Sequence, residues 1–268
     1  MIFDSLIKEI NDLYGYDLSE YSRPSLERRI KRIMEYDMVS SIDQLREKIK
    51  DKKYFNHLIE EITVNVTEMF RDVAFFKAIR EEIVPILATY PNIRIWHAGC
   101  STGEEVFSMA VVLEEEGLLD RTMLYATDLN QSVIDKAESG RFLLSNLQGS
   151  VKNYQLAGGK KDFNNYFTKK ENFGEFPSYM KEHMFFTMHN LVTDKSFNEF
   201  NLIICHNVLI YFNKDLQNKV VSLFYESLPM HGFLSLGPTA TLAFSPHKSF
   251  FRQINDSPKI WQKYAAIM

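Results

Sequence analysis

The sequence predicts an α/β protein: a small all-helical domain at the N-terminus, then a doubly wound parallel sheet. Three observations carry this. Residues 1–80 hold no glycine-rich turn and repeat their apolar residues at helical spacing. From Pro91 onward, short apolar runs alternate with amphipathic ones, the pattern of strands joined by helices. A turn, Gly99-Cys100-Ser101-Thr102-Gly103, follows the first of these runs, and an acid, Asp128, ends the second.

The elements follow in order. Phe3, Leu6, Ile7, Ile10 and Leu13 fall on one side of a first helix. YGYDLSEYSRPS (14–25) is punctuation between Gly15 and Pro24, and either Ser22 or Ser25 suits the cap of the helix after it. That helix, LERRIKRIMEYDM (26–38), turns Leu26, Ile30, Ile33 and Met34 inward. SSIDQLREKI (40–49), with Ser41 as cap, and YFNHLIEEITVNV (54–66) complete a bundle. The expected domains are 1–78 and 79–268.

In the second domain IRIWHA (93–98) reads as a buried strand and EEVFSMAVVLEEE (104–116) as a helix. TMLYATD (122–128) is a second strand, and QSVIDKAES (131–139) a helix stopped by Gly140. NLIICHN (201–207) and GFLSLG (232–237) are strands around the helix KDLQNKVVSLFYESL (214–228). FFRQI (250–254) and KIWQKYA (259–265) form a terminal hairpin around Asn255-Asp256. The stretch from about 142 to 189 is too long for a plain connection. Its aromatic residues, Gly158-Gly159 and Gly174 suit a helix and a small antiparallel insert.

Composition narrows the function. The 268 residues are 45% apolar and 13% aromatic, enough to fill sizeable cores. Lys and Arg number 31 against 35 Asp and Glu, a net charge of −4, which speaks against a nucleic-acid-gripping protein. Two cysteines, Cys100 and Cys205, are too few for a disulfide scaffold or structural zinc site. The seven histidines show no metal-binding spacing, so no metal is expected. The acidic amphipathic N-terminus is not a signal peptide, and no apolar run reaches 18 residues. A cytoplasmic location, without membrane insertion, is expected.

Four segments carry candidate chemistry. The glycine turn, continued by Glu104-Glu105, suits close approach of backbone to a ligand at the carboxyl end of a strand, or is simply a tight strand-to-helix turn. It also matches G-x-S-x-G, a hydrolase nucleophile elbow, with Ser101 attacking and Asp194 and His231 or His247 as partners. No upstream oxyanion loop accompanies it. Asp128 suits ribose hydroxyls or the cap of the next helix, which Asn130 can serve instead. Asn65-Val66-Thr67-Glu68-Met69-Phe70-Arg71 lies at the joint of the two halves, and Cys205-His206-Asn207-Val208-Leu209-Ile210-Tyr211-Phe212 leaves a strand for a polar turn. Each of these two, alone, is explained by packing.

Together, in this order and at these intervals, the four segments resemble the CheR family, chemotaxis methyltransferases dependent on S-adenosyl-L-methionine. The resemblance covers nearly the whole chain. It implies a helical N-terminal domain and a Rossmann-like class I S-adenosylmethionine-dependent methyltransferase domain with a small inserted β subdomain. It also implies methylation of glutamate side chains of chemoreceptors, leaving S-adenosyl-L-homocysteine. Carried over by position, it puts Asn65, Thr67, Arg71, Gly99, Glu105, Asp128, Asn190, Leu191, His206 and Asn207 at the cofactor, and Arg71 and Tyr211 beside the methyl group and incoming carboxylate.

The sequence departs from the family pattern in places. Met69 replaces the first Phe of F-F-R, His206 the Arg of C-R-N, and Val106 a common Pro. Gly237-Pro238-Thr239-Ala240 lacks the Ser and Glu of G-x-S-E. These leave open a divergent acceptor or a binding module with weakened catalysis. Arg28, Arg29, Lys31 and Arg32 form the strongest basic cluster, either a solvated helix face or a dock for acidic helical segments of chemoreceptors. Some members grip a receptor-tail pentapeptide through a glycine-rich turn in the inserted subdomain. With only Gly174 in NFGEFPSY, no such binding is expected here. The chain is expected to be a monomer. Nucleic-acid methylation would want base-handling motifs that are not evident.

Overall fold

A computed structural model describes residues 2–19, 21–63, 67–243 and 245–265. Two compact units emerge: Met1–Val66 with Val208–Val220, and Thr67–Asn207 with Val221–Met268. No described helix is long and apolar enough to cross a membrane.

The first unit is built on the helices Ile2–Tyr14, Arg23–Tyr36, Ile42–Lys48 and Lys52–Thr63. Leu6, Ile10, Leu26, Ile30, Ile33, Leu45 and Leu58 bury their side chains in its core. Tyr14 stacks on Phe55 with ring centroids 3.7 Å apart. Ser41 caps as expected, its hydroxyl accepting the Gln44 N–H at 3.1 Å. The second helix starts at Arg23, three residues ahead of the expected Leu26, because Pro24 pre-sets its first turn; Ser22 holds the cap position without a side-chain bond.

The second unit adds a helix the sequence reading did not include. Val73–Ala78 passes through a π turn, Ile79–Ile83, into Val84–Leu87. Pro85 has no N–H to give the regular ladder, and the Val84 N–H reaches the Ile79 carbonyl, five residues back.

The strands in chain order are β1 (Ile93–Ala98), β2 (Thr122–Asp128), β3 (Arg141–Leu143), β4 (Thr168–Lys170), β5 (Phe173–Glu175), β6 (Met184–Met188), β7 (Leu202–Ile204), β8 (Phe233–Ser235), β9 (Phe251–Asp256) and β10 (Lys259–Lys263). The main sheet runs β6-β2-β1-β7-β8-β10-β9. Its first five strands are mutually parallel, and β10 alone runs against them, pairing antiparallel with β8 on one side and β9 on the other. Strand order reverses between β1 and β7, where Ile95 pairs with Leu202. The hairpin turns at Ser257-Pro258, two residues later than expected, since Asn255 and Asp256 still pair in β9.

The long connection holds a three-stranded antiparallel sheet, β3-β5-β4, and the short helices Leu144–Gly149 and Val151–Leu156. Its end differs from the expected 189: β6 pairs parallel with β2, Leu124 opposite Met184, and belongs to the main sheet. The insert covers the helix Glu104–Glu115, which explains why that helix is apolar nearly all round. Phe107 meets the rings of Phe142 and Phe176 at 5.2 and 4.8 Å. A buried polar knot pins the same helix. Arg80 reaches Glu115 at 2.5 Å and Glu116 at 3.0 Å, while the hydroxyls of Tyr154 and Tyr166 donate to Glu115 at 2.5 and 2.7 Å. Burial pushes the Glu115 carboxyl up, but bonds from Tyr154, Tyr166, the Lys160 N–H and Arg80 outweigh it and hold it below its ordinary range.

Candidate active site

The glycine turn leaves β1 through three residues with positive φ: Gly99 at 85°, Ser101 at 51° and Gly103 at 94°. The Thr127 carbonyl on β2 accepts the N–H groups of Gly99 (2.8 Å) and Cys100 (2.9 Å), folding the turn over the carboxyl end of the sheet. Gly103 has no substitute. Its φ is unfavourable for an L side chain, and a Cβ would sit 2.9 Å from Ala137 Cβ.

Asp128, the last residue of β2, closes this turn. Its Oδ2 accepts the Ser101 N–H at 3.0 Å and its Oδ1 the Asn130 N–H at 3.1 Å. Burial raises its carboxyl pKa, opposed by the N–H groups of Ser101, Asn130 and Leu129. Asn130 takes the capping role, its Oδ1 accepting the Ser132 N–H at 2.9 Å, so Asp128 does not cap that helix.

Glu105 sits at the switch in strand order between two imidazoles. Its Oε1 meets His97 Nδ1, from β1, at 2.9 Å, and its Oε2 meets His206 Nδ1, just past β7, at 2.8 Å. His206 Nε2 meets Ser235 Oγ at 2.7 Å, so both of its ring nitrogens are engaged inside the protein. Burial pushes the Glu105 carboxyl up, but charge attraction and hydrogen bonding from His206, then His97, hold it well below the usual carboxylate range. Glu104 behaves oppositely: burial raises it, against a 2.6 Å bond from the Thr102 hydroxyl.

Of the remaining expected residues, Asn190, Leu191 and Asn207 follow strands at the same edge. Asn190 and Leu191 follow β6. The Asn190 side chain accepts the Val192 N–H at 2.9 Å, its own N–H donates to Asp194 Oδ2 at 2.8 Å, and Leu191 is buried. The backbone ties this loop to the acid, because the His189 N–H donates to the Asp128 carbonyl at 3.1 Å. Asn207 follows His206 with φ 58°. Thr67 is half-buried and Arg71 exposed. Between them Phe70 is fully buried at φ 54°, its N–H on Ser108 Oγ at 2.9 Å, which anchors the segment to the helix Glu104–Glu115. Asn65 lies outside the described residues.

Tyr211 belongs to the first unit and Arg71 to the second. In the first unit the basic cluster divides. Arg28, Lys31 and Arg32 are exposed, with Arg32 3.6 Å from Glu61. Arg29 turns inward: its guanidinium lies 4.2 Å over the Tyr211 ring and donates to the Ile62 carbonyl.

The sequence reading gives no role to His97, His189 or Ser235. The signal for His97 is its place in β1, two residues before Gly99. Ser101 Oγ, Asn130 Nδ2, His97 Nε2 and His189 Nδ1 are buried without partners. Buried polar atoms of this kind are ordinarily met by ordered water or a bound molecule. Each Asp128 carboxylate oxygen accepts a backbone N–H, from Ser101 or Asn130, and a carboxylate oxygen has capacity for a further hydroxyl donor. The hydrolase alternative fails: Ser101 Oγ has no partner, His247 Nε2 is 2.7 Å from Ser222 Oγ, and Asp194 serves the Asn190 N–H.

Comparison with known proteins points to one family for the whole chain. The family model described as CheR methyltransferase, SAM binding domain, matches residues 65–259. The one described as CheR methyltransferase, all-alpha domain, matches residues 1–63. The chain is 42% identical to the Cher3 protein of Pseudomonas putida over 96% of its own length and 95% of that protein. It is 28% identical to the chemotaxis protein methyltransferase of Listeria monocytogenes over 83% of each. The solved N-methyltransferase NodS of Bradyrhizobium japonicum, in complex with S-adenosyl-L-homocysteine, aligns with TM-score 0.42 and 12% identity, over 73% of this chain and 88% of that one.

Proposed function

The chain belongs to the CheR methyltransferase family, S-adenosylmethionine-dependent enzymes, and we propose that it methylates glutamate carboxylates on the cytoplasmic helical segments of chemoreceptors. The observation that carries this is the match of both family domains, in order, along nearly the whole chain. The glycine turn and Asp128 at the carboxyl edge, beside the unpartnered Ser101 Oγ, support the cofactor assignment.

In this reading Asp128 takes the ribose hydroxyls, and Gly99, Asn190, Leu191 and Asn207 line the rest of the cofactor. Bound S-adenosylmethionine supplies an electrophilic methyl group. A glutamate carboxylate is already ionised near neutral pH, so no general base is required. What the chain must supply is in-line placement and exclusion of water. Arg71 holds the acceptor carboxylate through charge-assisted bonds, keeping its proton throughout. The Tyr211 hydroxyl donates one more bond that fixes the approach. Glu105 and His206, expected at the cofactor, bond each other, His97 and Ser235, and in this reading they hold the ends of β1 and β7 together. The exposed Arg28, Lys31 and Arg32 attract the acidic receptor helix.

The test is transfer of tritium from methyl-labelled S-adenosylmethionine to a soluble cytoplasmic chemoreceptor fragment. Counts on the fragment that mild base releases as methanol support a carboxyl ester. Base-stable counts, or none with the cofactor demonstrably bound, reject the proposal.

A further inference from the structure

Arg29 is one of four basic residues in a row, but its environment differs from that of its neighbours. Arg28, Lys31 and Arg32 are exposed. Arg29 is half-buried, three residues after Leu26 and four before Ile33, both in the core of the helical unit. Its guanidinium lies 4.2 Å over the Tyr211 ring, within cation–π range. One of its Nη atoms donates to the Ile62 carbonyl, in the last turn of the helix Lys52–Thr63, where the dipole favours a cation. The guanidinium thus has one anchored edge and one ring face.

The backbone of Tyr211 is held by the same unit. Its carbonyl accepts the Ser22 N–H at 2.7 Å, Phe212 bridges to Tyr21, and the rings of Tyr21 and Phe212 meet edge to face at 5.1 Å. Gln217 bonds the Leu209 and Phe212 carbonyls at 2.9 and 3.1 Å and fixes the turn Leu209–Tyr211. The backbone of Tyr211 is therefore set without Arg29. The ring itself is met by the guanidinium.

We propose that Arg29 is a positioning residue for Tyr211, holding the phenol so that its hydroxyl meets the acceptor carboxylate, rather than part of the docking face. The proposal rests on the reading that Tyr211 takes part in methyl transfer. A planar guanidinium meets the ring and the Ile62 carbonyl through separate atoms of one rigid group, whereas an ammonium has a single nitrogen on a flexible stem for both. The role is therefore specific to arginine and concerns turnover rather than capture of the acceptor.

The experiment is a double-mutant cycle on the cytoplasmic receptor fragment, following base-labile tritium. The variants are Arg29→Gln, Tyr211→Phe and their combination, with Arg29→Lys as the variant that keeps charge and stem. S-adenosylhomocysteine affinity, measured on each protein, reports an intact fold. Arg29→Gln should lower kcat about tenfold with KM within about twofold, since small displacements of a reacting group are costly. In the Tyr211→Phe background the same change should cost less than about twofold. Arg29→Lys should recover only part of the rate. A rise in KM at unchanged kcat, full recovery by Arg29→Lys, or an undiminished Arg29→Gln effect without the hydroxyl would each overturn the positioning role. A full-rate Tyr211→Phe enzyme would instead remove the reading beneath it, whatever Arg29 does.

Discussion

Replacing Asp128 with Asn separates what this residue does for the fold from what it does for the cofactor. The change keeps shape and one acceptor oxygen. It removes the charge and sets an amide NH2 against one of two backbone donors, Ser101 N–H at 3.0 Å or Asn130 N–H at 3.1 Å. For the fold, two effects oppose. Losing a hydrogen bond to a charged group costs about 1.5–3 kcal/mol, while removing a carboxylate whose ionisation burial disfavours gives some of this back. A raised carboxyl pKa means that Asp128 favours folding below its unfolded pKa, near 3.9, and loses that contribution as pH rises through the folded value. At neutral pH the charge is held at a cost, so Tm should change little. For the cofactor nothing offsets the loss. Two ribose hydroxyls donating to a carboxylate become one donating to a neutral amide, and about 1.5–3 kcal/mol is roughly a 10- to 150-fold weaker dissociation constant. Calorimetry of S-adenosylhomocysteine binding, beside a thermal melt, measures both. Unchanged affinity with an unchanged melt would refute the placing of the ribose at Asp128.

Other outcomes follow from the same geometry. Glu105 titrates below its unfolded value, so its stabilising contribution is complete above about pH 4.3 and is lost as pH falls; Glu105→Gln should flatten denaturant-measured stability between about pH 5 and 3, and parallel curves for mutant and wild type would count against the two-histidine clamp. Glu115→Gln breaks one side of the buried pair with Arg80, but Glu116 remains 3.0 Å from that guanidinium; the loss should fall near the low end of about 3–5 kcal/mol, a Tm fall of roughly 5–10 °C, and a melt within a degree of wild type would show the knot to be dispensable. Reversing Arg28 and Arg32 to Glu should raise KM for the receptor fragment roughly three- to tenfold at low salt and leave S-adenosylhomocysteine affinity alone. Equal KM values would reduce that face to a solvated one.

Much of this was legible in local pattern. Helical spacing at Phe3, Leu6 and Ile10, and the switch to short apolar runs at Ile93 and Thr122, carried the two-part architecture, because burial of one face leaves a periodic trace. The carboxyl-edge position of Gly99–Gly103 and Asp128 followed from strand ends alone. Met184–Met188 escaped because an edge strand with Phe185 and Met188 half-exposed has no clean alternation. The helix from Val73 to Leu87 escaped because Pro85 interrupts it and its apolar residues, VAFFKAI, run together. The inward turn of Arg29 was present in its spacing from Leu26 and Ile33, but four adjacent positive charges read as one face. The His97–Glu105–His206 clamp joins residues up to about a hundred positions apart, and only the sheet order β1-β7 brings them together.

The central claim is that this edge of the sheet delivers a methyl group to a glutamate carboxylate. Tandem mass spectrometry of a chemoreceptor cytoplasmic fragment, after incubation with the protein and S-adenosylmethionine carrying a deuterated methyl, tests it most directly. The account predicts the labelled methyl on glutamate side chains of the fragment's helices, absent when Asp128→Asn replaces the wild type at low cofactor. Label on lysine, on a backbone terminus, or nowhere in a fragment that a second family member does esterify, would contradict it.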